Sequence, residues 1–433
     1  MIESYFQIKL MTIFEQKLDT NKAIELSSKA NVDRRLMVFS PWCYGHHPTY
    51  LRHLISYWCQ WQLPGTIDIV VSEQFLREHA DVVALTNKCD ERLSIKFVTL
   101  STSEQADLEA STSGWKRAFK QYQLIGKYSR LLQATQGLII YFDSCQLPIV
   151  LGLQLPCPCS GIYYRPTFHY RLFDDSIPTW RERLQHLREQ IFLWRLLHHP
   201  QFKTLFCLDP LAIEPIARLG DRDRVMHLPD PIELLDSDEF LTAQLRTNLG
   251  IEPHRRIFLS FGRLSEGRKG IPQLVEAVAL LSPDLQQQVC LLFVGEPNRE
   301  QLSAWLTPLR QLATVQIVDL YGYVPEADVN AYFQLADIVV APYQRHVGMS
   351  GILLQAAAAN KPVLSSDYGL MGELIQRYGL GLAIDSTIPL EIAKGLTRFL
   401  VESPDRLCDR VKMREFATAN SAERFASIIF QNL

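Results

Sequence analysis

The stretch Ile257-Phe258-Leu259-Ser260-Phe261-Gly262-Arg263-Leu264-Ser265-Glu266-Gly267-Arg268-Lys269-Gly270 decides the fold class. Residues 257–261 are a short apolar run that reads as a strand. Residues 262–270 are a loop of glycines and cations, and a helix begins near Pro272, a residue suited to a first helical turn. Strand, loop and helix in that order make one βα unit. Unpaired backbone N–H groups at the helix start, the positive end of its dipole and cationic side chains together are the ingredients of a diphosphate site. A solvated basic turn is the plain alternative. The spacing of Gly262 and Gly267 also fits the first half of a P-loop, but Arg268-Lys269-Gly270 stands where Lys and then Ser or Thr are required, so the magnesium-binding hydroxyl is missing.

The same alternation continues on both sides. Downstream, strands are expected at 289–294, 315–320, 338–341, 363–366 and 382–384, with helices at 273–281, 327–335, 352–360, 371–378 and 390–401. Upstream, a strand at 36–40, a Gly- and His-containing loop at 40–48 and a helix at 49–61 form another βα unit, followed by apolar runs at 67–71, 95–100, 137–142, 161–164 and 204–208. Alternating strands and helices imply mainly parallel sheets. A chain of 433 residues is too long for one ordinary core. The Pro- and Asp-rich segment 229–238 interrupts the periodicity and marks a boundary. The expected layout is an extension at 1–34, a Rossmann-like domain at 35–235, a second at 236–412, and a C-terminal helix within 413–433 crossing back to the first. The fold class is therefore α/β, with two doubly wound domains facing a central cleft. Ligands of such sheets bind beyond the carboxyl ends of the strands, so residues just after each strand are the candidates for function.

Composition narrows the function. With 47% hydrophobic and 21% charged residues and a net charge of -3, the chain is globular and is not a general nucleic-acid binder, so any anion site is local. Its nine cysteines follow no repeated framework, which points to a reducing cytosol without disulfides. Cys157-Pro158-Cys159 is the one close pair; it lacks two further ligands for zinc and reads as a turn before a strand, so no metal is expected. No apolar run is long enough to span a bilayer, and the first residues lack the pattern of a secretory signal. Ile2, Tyr5, Phe6, Leu10, Ile13 and Phe14 form a helical stripe that either docks on the body or lies on a membrane, unless translation starts after it. Segment 180–199 is basic and amphipathic, fitting either a packed helix with solvated arginines or a peripheral membrane contact.

A second loop follows the strand at 338–341: Pro342-Tyr343-Gln344-Arg345-His346-Val347-Gly348-Met349-Ser350-Gly351, opening the helix at 352–360. Gly348 and Gly351 admit a phosphate close to the backbone, and Ser350 is a natural N-cap whose hydroxyl serves helix or ligand. Gly262-Arg263 with Lys269-Gly270, Leu353-Leu354-Gln355-Ala356, Asn360-Lys361-Pro362-Val363, Ala336-Asp337 before a strand, segment 369–375 and Asn420-Ser421-Ala422-Glu423 together resemble glycosyltransferase family 4 from residue 36 nearly to the end. That family has the GT-B fold and transfers sugars from nucleotide-sugar donors with retention.

The resemblance implies that Arg263 and Lys269 neutralise the donor diphosphate in place of a metal, as charge grows in the transition state. It implies a donor-binding set of Gly262, His346, Gly348, Met349, Ser350, Gly351 and Gln355, with a first-domain loop of Gly45, His46 and His47 closing over donor and acceptor. Taken alone, His46 or His47 reads as a satisfied surface histidine. Two departures stand out. The family's paired glutamates fall at Val347 and Gln355, and Gln355 keeps only uncharged hydrogen bonding while Val347 keeps none. Asp143 stands where the family commonly has a histidine; it is either a catalytic carboxylate facing the site or an ordinary helix cap. Asp337 and Glu373 read as helix-end residues. The implied activity is transfer of a hexosyl unit to a hydroxyl acceptor, saccharide or lipid-linked, in polysaccharide or glycolipid assembly, in the cytoplasm or at its membrane face. The alternative is an inactive homologue that binds nucleotide sugar or supports a partner subunit.

Overall fold

The computed structural model describes residues 34–433 apart from 90–93, 170–178, 235–237, 265, 297 and 323. The apolar stripe expected from Ile2 to Phe14 lies outside the described residues, as does Ser265. Chain contacts divide the molecule into two units: the residues up to Pro231 together with Ala422–Leu433, and Ile232–Ser421.

In the first unit seven strands run parallel: β1 Arg35–Phe39, β2 Thr66–Val71, β3 Ser94–Thr99, β4 Gln136–Ile139, β5 Cys159–Tyr163, β6 Phe202–Cys207 and β7 Val225–His227. Their order is β3-β2-β1-β4-β5-β6-β7. The last strand has no counterpart among the sequence expectations, because three residues are too few to show a period. Alternation along β1 sends Met37 and Phe39 into one apolar cluster and Leu36 and Val38 into another, so both faces of the sheet are covered. The helices that matter below are α1 His47–Gln60, α2 Gly114–Leu131, α3 Gln146–Val150 and α4 Trp180–Leu197.

The second unit carries six parallel strands: β8 Arg256–Phe261, β9 Val289–Gly295, β10 Gln316–Tyr321, β11 Ile338–Ala341, β12 Val363–Ser366 and β13 Gly381–Ile384, in the order β10-β9-β8-β11-β12-β13. Counted from its own first strand this is 3-2-1-4-5-6, the doubly wound order. Its helices include α5 Ile271–Ala279, α6 Gly351–Ala358, α7 Pro389–Val401 and α8 Arg410–Ala419. Each sheet reverses its winding once, between β1 and β4 in the first unit and between β8 and β11 in the second.

The boundaries differ from the expected ones. The chain leaves the first unit after Pro231 rather than at 235, and returns at Ala422 rather than 413. The reason is a break in the expected terminal helix. Asn420 ends α8, its carbonyl accepts the N–H of Ile232 at 2.8 Å, and Ser421 pairs with Ile232 as an isolated parallel bridge. α8 therefore stays with the second unit, packed on α6. Only α9, Ala422–Gln431, joins the first, where Phe425, Ala426, Ile429 and Phe430 share a core with Leu51, Leu54 and Trp58 of α1.

The expectation of unpaired cysteines is also corrected. Cys59 and Cys89 form a disulfide with a Cα–Cα distance of 5.0 Å, across a sequence separation of 30. Spacing gave no sign of it, because the pair meets only when α1 packs against the 3₁₀ turn Leu85–Lys88.

Candidate functional site

Both candidate loops of the second unit leave the strands that flank its winding reversal, which is where doubly wound sheets bind ligands. After β8 the chain passes Gly262, makes a 3₁₀ turn at Gly267–Lys269, and enters α5 through Gly270 in a left-handed conformation. That turn folds Lys269 inward, leaving it only 5% exposed. Its ammonium donates to the Phe261 carbonyl at 3.1 Å and to the Tyr343 hydroxyl, and lies 4.5 Å from the Tyr343 ring centroid. Gly262 makes room for it, since a Cβ there would sit 3.2 Å from Nζ. An ammonium has three N–H donors. Two are engaged among the described residues, leaving one for an anion at the carboxyl end of β8.

The two loops are tied together. The Gln344 backbone N–H donates to the Arg268 carbonyl at 2.7 Å, the Ser350 hydroxyl lies 3.4 Å from that of Tyr343, and Gly270 passes directly against Pro342. A Cβ on Gly270 would fall 2.0 Å from the Pro342 carbonyl oxygen, on a residue with φ of +69°. Gly270→Ala is therefore expected to cost about 1–3 kcal/mol, read from the denaturant midpoint, because either loop must shift to admit the methyl group.

The basic pair expected from the sequence is split. Arg263 is 71% exposed and pairs loosely with Glu266 at 3.9 Å, while Arg268 holds the same carboxylate at 2.7 Å. Only Lys269 is built into the structure. An exposed pair such as Arg263–Glu266 is worth little, so Arg263 can exchange it for a ligand at small cost.

Ser350 sits at the N-cap of α6 by backbone position, but its side chain makes no capping bond and turns to Tyr343 instead, so the cap role is not realised. The His346 ring meets that of Tyr343 edge-on at 5.5 Å, and its Nε2 lies 3.4 Å from the Met349 carbonyl. At Gly351 a Cβ would meet nothing within 4 Å, and at Gly348 only the His346 ring at 3.9 Å, so neither glycine is demanded by packing. The space before α6 is open. Val347 and Gln355 are half-buried, and the Val347 carbonyl accepts the Leu370 N–H at 3.1 Å. Asp337 lies at the far, amino end of the sheet, where its carboxylate accepts the Ile257 N–H at 2.8 Å and ties β8 to β11. Tyr343, which joins Lys269 to Ser350, was missed by sequence reading. The available signal was its place directly after a strand end.

In the first unit the sequence candidates also gather where the winding reverses, after β1 and β4. Gly45 is exposed in a left-handed turn with a φ of +68°. His46 is exposed, with its ring 5.7 Å from Tyr164. His47 is not a surface histidine: it is 4% exposed, its Nδ1 lies 2.7 Å from the Ser40 hydroxyl, and burial, helped by His46, holds it down at about 3. Asp143 does not cap α3, whose N-cap is Cys145. Its carboxylate accepts the N–H groups of Tyr164 and Arg165 at 3.0 and 3.1 Å and so fastens the exit of β5. Burial pushes it up to about 6 against the lowering effect of those bonds.

These buried groups set an acid dependence. His47 is held at about 3, and burial holds His53 and His227 at about 4, against an ordinary value of 6.5. The unfolded chain then takes up these protons first, and stability falls as pH drops through 6.5 towards 4. Asp143 acts oppositely: its folded value lies above 3.8, so it adds stability as pH falls from about 6. Three groups outweigh one. The urea midpoint is expected to fall from neutral pH towards pH 4, and His47→Gln is expected to flatten that slope.

Residues 242–418 match the family model described as Glycosyl transferases group 1. This stretch belongs to that family. The group 1 segment lies wholly within the second unit and contains β8, β11 and both loops. The chain is similar to D-inositol 3-phosphate glycosyltransferase of Corynebacterium diphtheriae, with 26% identity over 195 residues, 43% of this chain and 45% of that protein. It thus matches less than half the length of such relatives. In fold it resembles sucrose-phosphate synthase of Thermosynechococcus elongatus, with a TM-score of 0.63 and 16% identity over 92% of this chain and 98% of that one. It also resembles Anabaena HepE in complex with UDP and glucose, with a TM-score of 0.59 and 12% identity over 92% and 97%. The fold is GT-B, two Rossmann-like units each built on a parallel sheet.

Proposed function

We propose that the chain is a retaining glycosyltransferase that takes a hexosyl unit from a nucleoside diphosphate sugar and places it on a hydroxyl acceptor, saccharide or lipid-linked, without a metal ion. The observation that carries this reading is the Lys269 ammonium, buried at the carboxyl end of β8 beside the winding reversal, with a donor to spare and open space before α6. A leaving diphosphate gains negative charge as the glycosidic bond breaks. A fixed cation in a poorly solvated position stabilises that charge more than the ground state, which is the condition for catalysis. Arg263, released from Glu266, supplies a second charge, and Ser350 and the amides around Gly348 supply hydrogen bonds. The Anabaena protein of the same fold, bound to UDP and glucose, supports the donor class.

The test is a panel of labelled UDP-, GDP- and ADP-hexoses incubated with the protein, with and without EDTA and acceptor extracts. Release of nucleoside diphosphate unaffected by EDTA, with the anomeric configuration kept in the product by NMR, supports the proposal. The second reading, an inactive nucleotide-sugar-binding homologue, rests on Val347 and Gln355 standing where the family has glutamates. Tight nucleotide binding with no turnover on any donor would establish it instead.

A further inference from the structure

Helix α4 carries an apolar stripe that nothing among the described residues covers. Trp180, Leu184, Leu187, Ile191 and Trp194 recur at alternating intervals of four and three residues, and all are between 47% and 66% exposed. That spacing places them on one face of the helix. The opposite face, at Leu193, Leu196 and Leu197, is buried in the first unit. The stripe continues onto the body at Leu151, 57% exposed just beyond α3, where the Arg195 side chain donates to the Val150 carbonyl at 3.0 Å. Five large apolar side chains left in water on one helix face mark an interaction surface.

The charges beside the stripe choose its occupant. Arg181, Arg183, Arg188 and Arg195 are all exposed and border the apolar residues. The acidic residues of the helix do not offset them locally. Glu182 closes a capping box with Thr179, and Glu189 accepts hydrogen bonds from Tyr163 and Thr167. A second copy of α4 laid along the stripe would set arginine against arginine at the flanking positions, which disfavours self-pairing. The surface extends beyond one helix to Leu151, and a tryptophan stands near each end of the stripe, the residue type that favours the boundary between lipid and water. Arginine stems cover apolar surface while their heads reach phosphate.

We propose that α4 is an in-plane membrane-docking helix, with the stripe entering the acyl boundary of an anionic bilayer and the arginines meeting lipid phosphates. No helix among the described residues is long and apolar enough to cross a membrane, so contact through this face is peripheral. The proposal is independent of the transfer chemistry.

It is tested with the full chain by flotation against vesicles rich in phosphatidylglycerol and against phosphatidylcholine alone. Binding to the anionic vesicles, weakened by salt, is the expected result. Leu187→Glu with Ile191→Glu, and separately Arg183→Glu with Arg188→Glu, are each expected to weaken it by about tenfold or more. Circular dichroism and the thermal midpoint stay unchanged, since these side chains are exposed. Failure to bind anionic vesicles, or equal binding by the wild type and both variants, overturns the proposal. So does a dimer, seen by sedimentation, that the Leu187/Ile191 change dissolves while vesicle binding is absent.

Discussion

Replacing Lys269 by methionine is expected to lower the rate of sugar transfer, and of slow donor hydrolysis, by about 10²–10³-fold, the loss typical of removing one preorganised donor from a developing anion. Methionine fills much of the same volume, so the loss is one of charge and hydrogen bonding. The Phe261 carbonyl and the Tyr343 hydroxyl both lose the bond from Lys269, and a drop of about 1–3 kcal/mol in stability accompanies the kinetic effect. The two effects separate experimentally. Urea unfolding reads the stability, and the ratio of transfer rates under native conditions reads the chemistry. Arg263→Met is expected to act more weakly and without a stability change, because Arg263 stands in solvent against Glu266. If Arg263→Met proves the more damaging of the two while Lys269→Met transfers sugar normally, the buried ammonium is only a structural tether and the proposed role is wrong.

The second large effect lies away from that site. Phe430 is 2% exposed on α9, stacked against Tyr57 at 5.8 Å and edge-on to Trp58 at 5.3 Å. Phe430→Ala is expected to destabilise the first unit by about 3–5 kcal/mol, the sum of lost transfer energy and an unfilled cavity. The second unit contains neither α9 nor α1, so its melting is expected to be unchanged. Calorimetry or hydrogen exchange resolved by unit distinguishes this outcome from a loss spread over the whole chain.

All six strands of the second unit were legible because each is a short apolar run closed by glycine, proline or a polar loop, and because the four inner ones, β8, β9, β11 and β12, are buried on both faces. β7 was not legible: it adds on the sheet edge through pairing with β6, and pairing is a tertiary fact. The boundary at Ser421 was hidden for a similar reason. Residues 413–433 were expected to hold one crossing helix, and only the backbone bridge between Ile232 and Ser421 shows where α8 ends and α9 begins.

At the candidate site the sequence was enough to bring the two loops of the second unit together, because residues after parallel strands share one edge of a sheet whatever their separation along the chain. It could not tell Arg263 from Lys269. Both are cations beside glycines, and only the 3₁₀ turn at Gly267–Lys269 turns one inward and leaves the other outside. For Ser350 and Asp143 it was the cap alternative that fell, for a similar reason. Each has the residue type of a cap, and each spends its side chain on a neighbouring segment brought close by the sheet.

The bridge between Ile232 and Ser421 also bears on how the molecule is made. A ribosome delivers every strand of both sheets before it reaches Ala422, where α9 begins. The unit bounded by that bridge has all its strands by then and is free to close. The earlier unit does not: its apolar surface over α1 stays uncovered until residues 422–431 arrive. The first unit is thus completed only after the second, and a chain stopped before Ala422 leaves a finished second unit attached to an open first one, the species that chaperones and proteases would meet.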